Sequence, residues 1–176
     1  MENTPGNKNK SINKILIATD GSEAGLSAAE YAANLAEKLG MEVVAIGVIN
    51  VHKYESMAHT FSGGMGWLSV KEKFIKEREK EVTGDLNKVR KICEEKRVHS
   101  KGIIGYGYPH EEIIKYAKEH ESVRMIVIGG GGKDFLGRKM LGSVAEKIVR
   151  EVTKTLPCPV VVVPWKTGMP DARMDF

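Results

Sequence analysis

The chain has 176 residues, 41% of them apolar and 28% charged, and a formal net charge of +4. That length suits one well-filled core, and the longest apolar run is far shorter than the roughly 20 residues of a membrane-spanning helix. Basic residues alternate with glutamate along the most basic stretch and are not interleaved with aromatic ones, so we expect neither a nucleic-acid nor a membrane partner.

Short apolar runs alternate with amphipathic stretches along the chain, and they predict five strands and four helices. In chain order, the predicted strands cover residues 14–19, 41–49, 100–106, 124–128 and 159–164. The predicted helices between them cover residues 22–39, 69–96, 109–119 and 143–153. A stretch without periodicity over residues 50–68 is expected to be a flexible insertion loop.

The strands read as continuous apolar runs rather than strict alternations, which is typical of strands buried on both faces. Together with the alternating order of elements, this predicts one α/β domain, doubly wound and Rossmann-like, with a mostly parallel five-stranded sheet and helices on both faces. We place the domain at residues 12–165, after a polar leader (1–11) and before a C-terminal tail (166–176). The long helix at 69–96 carries an apolar stripe interrupted at one position: Phe74, Arg78, Val82, Leu86, Val89 and Cys93.

Other residue types predict little special chemistry. The polar leader contains no hydrophobic core of a secretory signal, so a cytoplasmic location is expected. Cys93 and Cys158 have no partner at CxxC spacing, and the five histidines are scattered. We therefore expect no disulfide, no intrinsic metal site and no catalytic set.

Two turns of contrasting chemistry are expected at one edge of the sheet, where the carboxyl ends of parallel strands meet. The first strand runs into Asp20, while the fourth runs into four glycines, 129–132. Gly142 and Ser143 then begin the last helix, whose N-terminus favours an anion. Simpler explanations stay open: Ser143 and Asp20 could each begin a capping box, and the glycines could serve only a tight strand exit.

The common nucleotide fingerprints do not fit this loop. No Lys-Ser or Lys-Thr follows a glycine as GxxxxGK[ST] requires, and Asp134 stands where GxGxxG needs its last glycine. Both motifs also belong after the first strand of a βαβ unit, whereas this loop follows the fourth. Binding of a mononucleotide by another route is what remains.

The spacing Gly129-x2-Gly132-x9-Gly142-Ser143 resembles the glycine motif of ATP-binding universal stress proteins. The likeness extends to three other segments: residues 14–20 are similar to the family's opening strand, 107–113 to its third-strand exit and 157–163 to its closing strand. The resemblance implies the family's fold, which is adenine nucleotide alpha hydrolase-like, and an ATP site at which Mg²⁺ or Mn²⁺ would accompany the nucleotide.

The resemblance also implies a role for each matching residue. Asp20 would bind the ribose or adenine side of the nucleotide, with Ala18 and Thr19 beside it. Val48 and Ile128 would pack on adenine. The triphosphate would be lined by Gly129, Gly132, Gly142, Ser143 and Val144.

Members of this family usually form dimers by pairing their last strands, and the sequence favours the same arrangement here. The segment Val160–Val163 is a flat apolar strand expected at a sheet edge, which would aggregate unless it were paired or covered. The leading hypothesis is a nucleotide-dependent switch, read by an unidentified protein partner, with slow hydrolysis or none. The alternatives are a weak ATPase or nucleotidyl-transfer enzyme of the same fold, and an interaction subunit that has kept the motif without binding.

Overall fold

The structure is a computed structural model that describes residues 12–53, 66–131, 141–152 and 154–164. The leader, the tail, most of the insertion loop and residues 132–140 of the glycine loop lie outside the described residues. In chain order the elements are β1 (Lys14–Ala18), α1 (Glu23–Leu39), β2 (Glu42–Ile49), α2 (Gly66–Glu95), β3 (Ser100–Tyr106), α3 (Pro109–Glu119), β4 (Val123–Gly129), α4 (Ser143–Val152) and β5 (Val160–Val163).

The five strands form one parallel sheet in the order β3-β2-β1-β4-β5. Alternate residues of β1 point to opposite faces, so Ile15 and Ile17 pack in a core with α1 and α2, whereas Leu16 packs in a second core with α3 and α4. The predicted doubly wound α/β fold is therefore confirmed. The chain reverses its direction across the sheet between β1 and β4, and the crevice outside their carboxyl ends is where such folds bind ligands.

Helix α2 differs from its prediction in two ways. It begins at Gly66 rather than residue 69, and the predicted apolar stripe is wrong for its N-terminal half, where Phe74 is 43% exposed and Arg78 is exposed too. Its 30 residues span about 45 Å, well beyond the roughly 27 Å of the eight-residue strand β2. Only the half that contains Val82 and Cys93 therefore lies against the sheet and is buried.

One side-chain contact ties the overhanging half of α2 back to the sheet. The hydroxyl of Tyr106, at the end of β3, donates a hydrogen bond to Glu79 Oε1 at 2.6 Å. This bond to Glu79 raises the pKa of Tyr106. None of the described helices is long and apolar enough to cross a membrane.

Both cysteines are buried and unpaired among the described residues, and burial raises the pKa of the Cys93 thiol and of the Cys158 thiol above the ordinary value of 9.0. Below that value the thiols are protonated in the folded and unfolded chain alike; above it the unfolded chain ionises first, so stability falls as the pH rises through the folded pKa.

We expect both native thiols to react with a disulfide reagent far more slowly than in the denatured chain, as absorbance would report. Equal rates in the two states would contradict this burial.

Candidate functional site

A cavity of about 320 Å³ opens at the carboxyl edge of the sheet, at the reversal between β1 and β4. The ends of β1, β2 and β4 form its floor, and the first turns of α1, α3 and α4 form its walls. Its described lining consists of Ala18, Thr19, Asp20, Ser22, Ala24, Gly25, Ile46, Val48, Pro109, Ile113, Ile128, Gly129, Gly131, Gly142, Ser143, Val144 and Ala145.

Nine of the ten residues proposed from the sequence lie in this lining, and the tenth, Gly132, lies outside the described residues. The structure thus brings the two predicted turns together around one space. The sequence reasoning missed several residues of that space. Ile46 lies two residues before Val48 on β2, whereas Pro109 and Ile113 belong to α3, which the crossover from β3 places there.

One half of the cavity is apolar. Ile46 and Ile128 project from β2 and β4 and are almost wholly buried, and Ile113 of α3 packs in the same core cluster. Val48 is packed against this cluster, and Pro109 adds an apolar wall at the first turn of α3. A flat, weakly polar group of a ligand would be desolvated favourably in this half.

The turn after β1 is fixed by its own side chains. The Thr19 hydroxyl accepts a hydrogen bond from the Gly21 N–H at 3.2 Å, and Asp20 Oδ1 accepts one from the Ser22 N–H at 3.1 Å. The N-cap of α1 is Ser22, whose hydroxyl accepts from the Gly25 N–H at 3.2 Å, so the alternative that Asp20 begins a capping box is wrong. Asp20 instead closes a local Asx-turn and exposes its carboxylate at the cavity.

Gly25 is a site residue that the sequence alone did not reveal. A β-carbon there would lie 2.9 Å from the Thr19 hydroxyl oxygen and 3.2 Å from Asp20 Oδ1. The absence of a side chain in the first turn of α1 therefore gives these two side chains their positions. A glycine in the first turn of a helix, three residues after an N-cap serine, was the available signal.

The end of β2 presents a backbone hydrogen-bonding edge toward the cavity. The Thr19 N–H donates to the Ile46 C=O at 3.1 Å, at the end of the β1–β2 ladder. Residues two apart in a strand point their N–H and C=O to the same side, so Val48 directs both groups to where β1 would continue. The chain turns away from the sheet at Asp20, so among the described residues no strand pairs with Val48 on this side. The space that a longer β1 would fill is the cavity, which Val48 lines.

The glycine turn is held from both sides by main-chain hydrogen bonds. The Gly130 N–H donates to the Val163 C=O at 2.7 Å, and the Gly130 C=O accepts from the Gly142 N–H at 3.1 Å. Gly131 adopts a positive φ of 90°, which favours glycine. The two ends of the loop meet closely, because a β-carbon on Gly142 would lie 3.3 Å from the Gly131 Cα.

Gly129 has a packing reason for lacking a side chain. A β-carbon there would lie 2.6 Å from the carbonyl oxygen of Ala24 in the first turn of α1. The simpler explanation given above, that a glycine serves only the strand exit, thus accounts for Gly129. It does not account for Gly142, which lies at the other end of the loop, before α4, and also lines the cavity.

The electrostatics of the cavity come from the backbone. The N-termini of α1, α3 and α4 all open on it, and their N–H groups and dipoles favour negative charge. Among the described residues of the lining, Asp20 carries the one ionisable side chain. The described parts of the chain contain no group of three or more His, Cys, Asp or Glu residues able to hold a metal ion.

Comparison with known proteins gives a consistent family. The sequence profile of the universal stress protein family matches residues 11–164. The chain is 38% identical to universal stress protein MJ0531 of Methanocaldococcus jannaschii over 150 residues, which is 85% of this chain and 81% of the relative. It is 34% identical to YxiE of Bacillus subtilis over 156 residues, 86% of this chain and 99% of the relative.

Solved structures agree with these relatives. The structure of MJ0577, also from Methanocaldococcus jannaschii, superimposes with a TM-score of 0.70 at 28% identity and covers 89% of this chain and 99% of its own. UspA from Lactobacillus plantarum has the same fold with a TM-score of 0.69 at 23% identity, covering 88% of this chain and 99% of its own. With the profile spanning nearly the whole domain, this chain belongs to the universal stress protein family.

Proposed function

We propose that the cavity binds an adenine mononucleotide, ATP above all, and that the protein acts as a nucleotide-dependent binding module. The observation that carries the proposal is the division of one cavity into an apolar half with a backbone hydrogen-bonding edge and a half lined by glycine backbone and helix N-termini. A nucleotide has the same division, with a flat base at one end and negatively charged phosphates at the other.

The apolar half suits adenine in particular. Adenine carries an amino donor beside a ring-nitrogen acceptor, and the C=O and N–H of one extended residue complement that pair. Val48 offers these two groups toward the cavity, next to the apolar side chains of Ile46 and Ile113. Guanine and hypoxanthine carry a carbonyl oxygen and a ring N–H instead. Their carbonyl oxygen would face the Val48 C=O and their ring N–H would face the Val48 N–H, so neither pair could form a hydrogen bond.

The polar half suits the sugar and the phosphates. Asp20, with its carboxylate exposed at the cavity, is placed to accept hydrogen bonds from ribose hydroxyls. Gly131, Gly142 and Ser143 also line the cavity, where main-chain N–H groups at the start of α4 favour phosphate oxygens. Gly129 and Gly132 complete the spaced motif in sequence.

Hard oxygen ligands are what Mg²⁺ and Mn²⁺ prefer, and such an ion would reach this site with the phosphates. Asp20 is the carboxylate that the described lining offers to it. We propose binding rather than turnover, since the described lining assembles no pair of groups for general acid and base catalysis. We further propose that the protein is cytoplasmic and that a protein partner distinguishes its nucleotide-bound from its nucleotide-free state.

Two solved universal stress proteins support the choice of ligand class. One is in complex with cAMP and matches this chain with a TM-score of 0.60 at 15% identity. The other, from Archaeoglobus fulgidus, is in complex with dAMP and matches with a TM-score of 0.53 at 19% identity. At these identities the similarity shows the fold alone. The two complexes support the proposal because the same fold accommodates adenine nucleotides in those proteins.

The sharpest test compares ATP with ITP, whose base differs from adenine in the two groups that face Val48. We expect calorimetry to give a dissociation constant at least about tenfold larger for ITP, because each mismatched pair leaves buried polar groups unsatisfied. Purine riboside triphosphate keeps the ring acceptor and lacks the amino donor, so its affinity should fall between the two. Equal affinity for ATP and ITP would contradict recognition by Val48, and no binding of any of them would contradict the nucleotide site.

A further inference from the structure

The glycine turn is part of a continuous line of main-chain hydrogen bonds that leads from the cavity to the edge of the sheet. The Val163 C=O accepts from the Gly130 N–H at 2.7 Å, the Gly130 C=O accepts from the Gly142 N–H at 3.1 Å, and the Gly142 C=O accepts from the Glu146 N–H at 2.9 Å. The first of these bonds joins the turn to the last residue of β5. The last bond joins it to the first turn of α4.

The contact between the turn and β5 is also tightly packed. A β-carbon on Gly130 would lie 3.2 Å from the Val163 carbonyl oxygen and 3.3 Å from Val162 Cγ1. Little space therefore remains between the Gly130 backbone and the end of β5. A displacement of Gly130 toward or away from the cavity must move Val163 or break the 2.7 Å hydrogen bond.

Strand β5 lies at the edge of the sheet, with β4 on one side. The Pro159 and Val163 carbonyls point to β4, where they accept from the Ile126 and Gly130 N–H groups. By the alternation within a strand, Val160 and Val162 direct their N–H and C=O groups away from β4. Among the described residues no strand pairs with that outer side.

A second copy of this chain fits that edge. The strand consists of four valines and carries no charge, and the prolines at 159 and 164 confine it to four residues. The same strand of a second copy, running antiparallel, matches it in length. The valine side chains pack on the two faces of the sheet rather than at the edge: Val161 and Val163 with one core cluster, Val160 and Val162 with the other. The outer side is therefore open to backbone pairing.

From these contacts we infer that nucleotide binding at the glycine turn and pairing of β5 between two copies are thermodynamically coupled, each tightening the other. This inference rests on the proposed function, since it assigns a regulation to the same site. Phosphates held by the turn fix Gly130 and, through it, the end of β5. Pairing of β5 fixes Val163 and, through it, the turn. Nucleotide binding therefore reduces the conformational entropy that strand pairing must still remove, and strand pairing does the same for nucleotide binding.

Sedimentation velocity with and without nucleotide measures the coupling on the full chain. We expect saturating ATP to lower the dimer dissociation constant about tenfold. Adenosine at saturation is the matched control: it fills the apolar half without reaching the turn and should leave the dimer constant unchanged. A dimer constant that ATP does not alter, in a protein that calorimetry shows to bind ATP, would overturn the coupling and leave the nucleotide site standing.

The reciprocal experiment weakens the edge and reads the site. Val160→Pro removes an N–H that points away from β4, at the end of β5 remote from Gly130. We expect the variant to be more weakly dimeric and to bind ATP about tenfold more weakly, with an unchanged circular dichroism spectrum. A folded monomeric variant with wild-type affinity for ATP would overturn the inference, and so would a wild type that binds ATP and stays monomeric throughout. Absence of ATP binding in calorimetry is a separate result, which fails the proposed function itself.

Discussion

Replacing Gly142 with valine is expected to lower the affinity for ATP at least about a hundredfold, which is roughly 2.7 kcal/mol of binding free energy. A β-carbon at this position already lies 3.3 Å from the Gly131 Cα, and both residues line the cavity where α4 begins. The branched side chain would occupy the space that phosphates need beside the first N–H groups of α4. Calorimetric titration of ATP into wild type and variant measures the loss.

Gly84→Val is the matched control for this substitution. Gly84 lies within α2, and a β-carbon there would meet no atom within 4 Å. The same change of residue should therefore leave ATP affinity at the wild-type value and leave the fold intact. If Gly142→Val binds ATP like the wild type while chemical denaturation shows both variants folded, the glycine turn is not the phosphate-binding half of the cavity.

The residues of the site that the sequence could predict share one property: each lies in a segment whose own pattern carries the information. Asp20 ends an apolar run, and Gly142 stands at a fixed spacing from Gly129, so both are visible locally. Ile113 and Pro109 are not, because their relevance depends on which helix crosses to which strand end. Their place in the lining follows from the sheet order β3-β2-β1-β4-β5, which periodicity alone does not supply.

The same reason explains the error in α2. A stripe from Phe74 to Cys93 predicts a buried face along the whole helix, and helical periodicity cannot tell where the sheet beneath it ends. The structure buries Val82 and the turns after it, whereas Phe74 stands beyond the strands. How far a helix extends past its sheet is set by strand length and loop placement, which are properties of the assembled fold.

The glycines of the loop have different physical reasons, and this distinction separates stability from binding. Gly129 lacks a side chain because α1 approaches β4 closely at Ala24, whereas a side chain on Gly142 would lie beside Gly131 in the lining of the cavity. Substitutions in one motif should therefore divide into those that loosen the fold and those that only empty the site.

Gly129→Ala is expected to loosen the fold by about 3 kcal/mol of unfolding free energy, at the upper end of the cost of overpacking. Its β-carbon would lie 2.6 Å from the Ala24 carbonyl oxygen and 2.7 Å from the carbonyl carbon, and both atoms belong to the backbone at the start of α1. A backbone cannot rotate aside as a side chain can, so α1 must move away from the sheet. Urea denaturation followed by circular dichroism measures the change.

Gly84→Ala separates this effect from the general consequence of replacing glycine. Within a solvent-facing helix, with nothing within 4 Å of the new β-carbon, alanine should raise the unfolding free energy by up to about 1 kcal/mol, because glycine costs conformational entropy on folding. The two alanine variants should thus differ in sign. A Gly129→Ala protein as stable as the wild type would mean that α1 and β4 can separate at little cost, and that the wall of the cavity formed by Ala24 is not fixed by this contact.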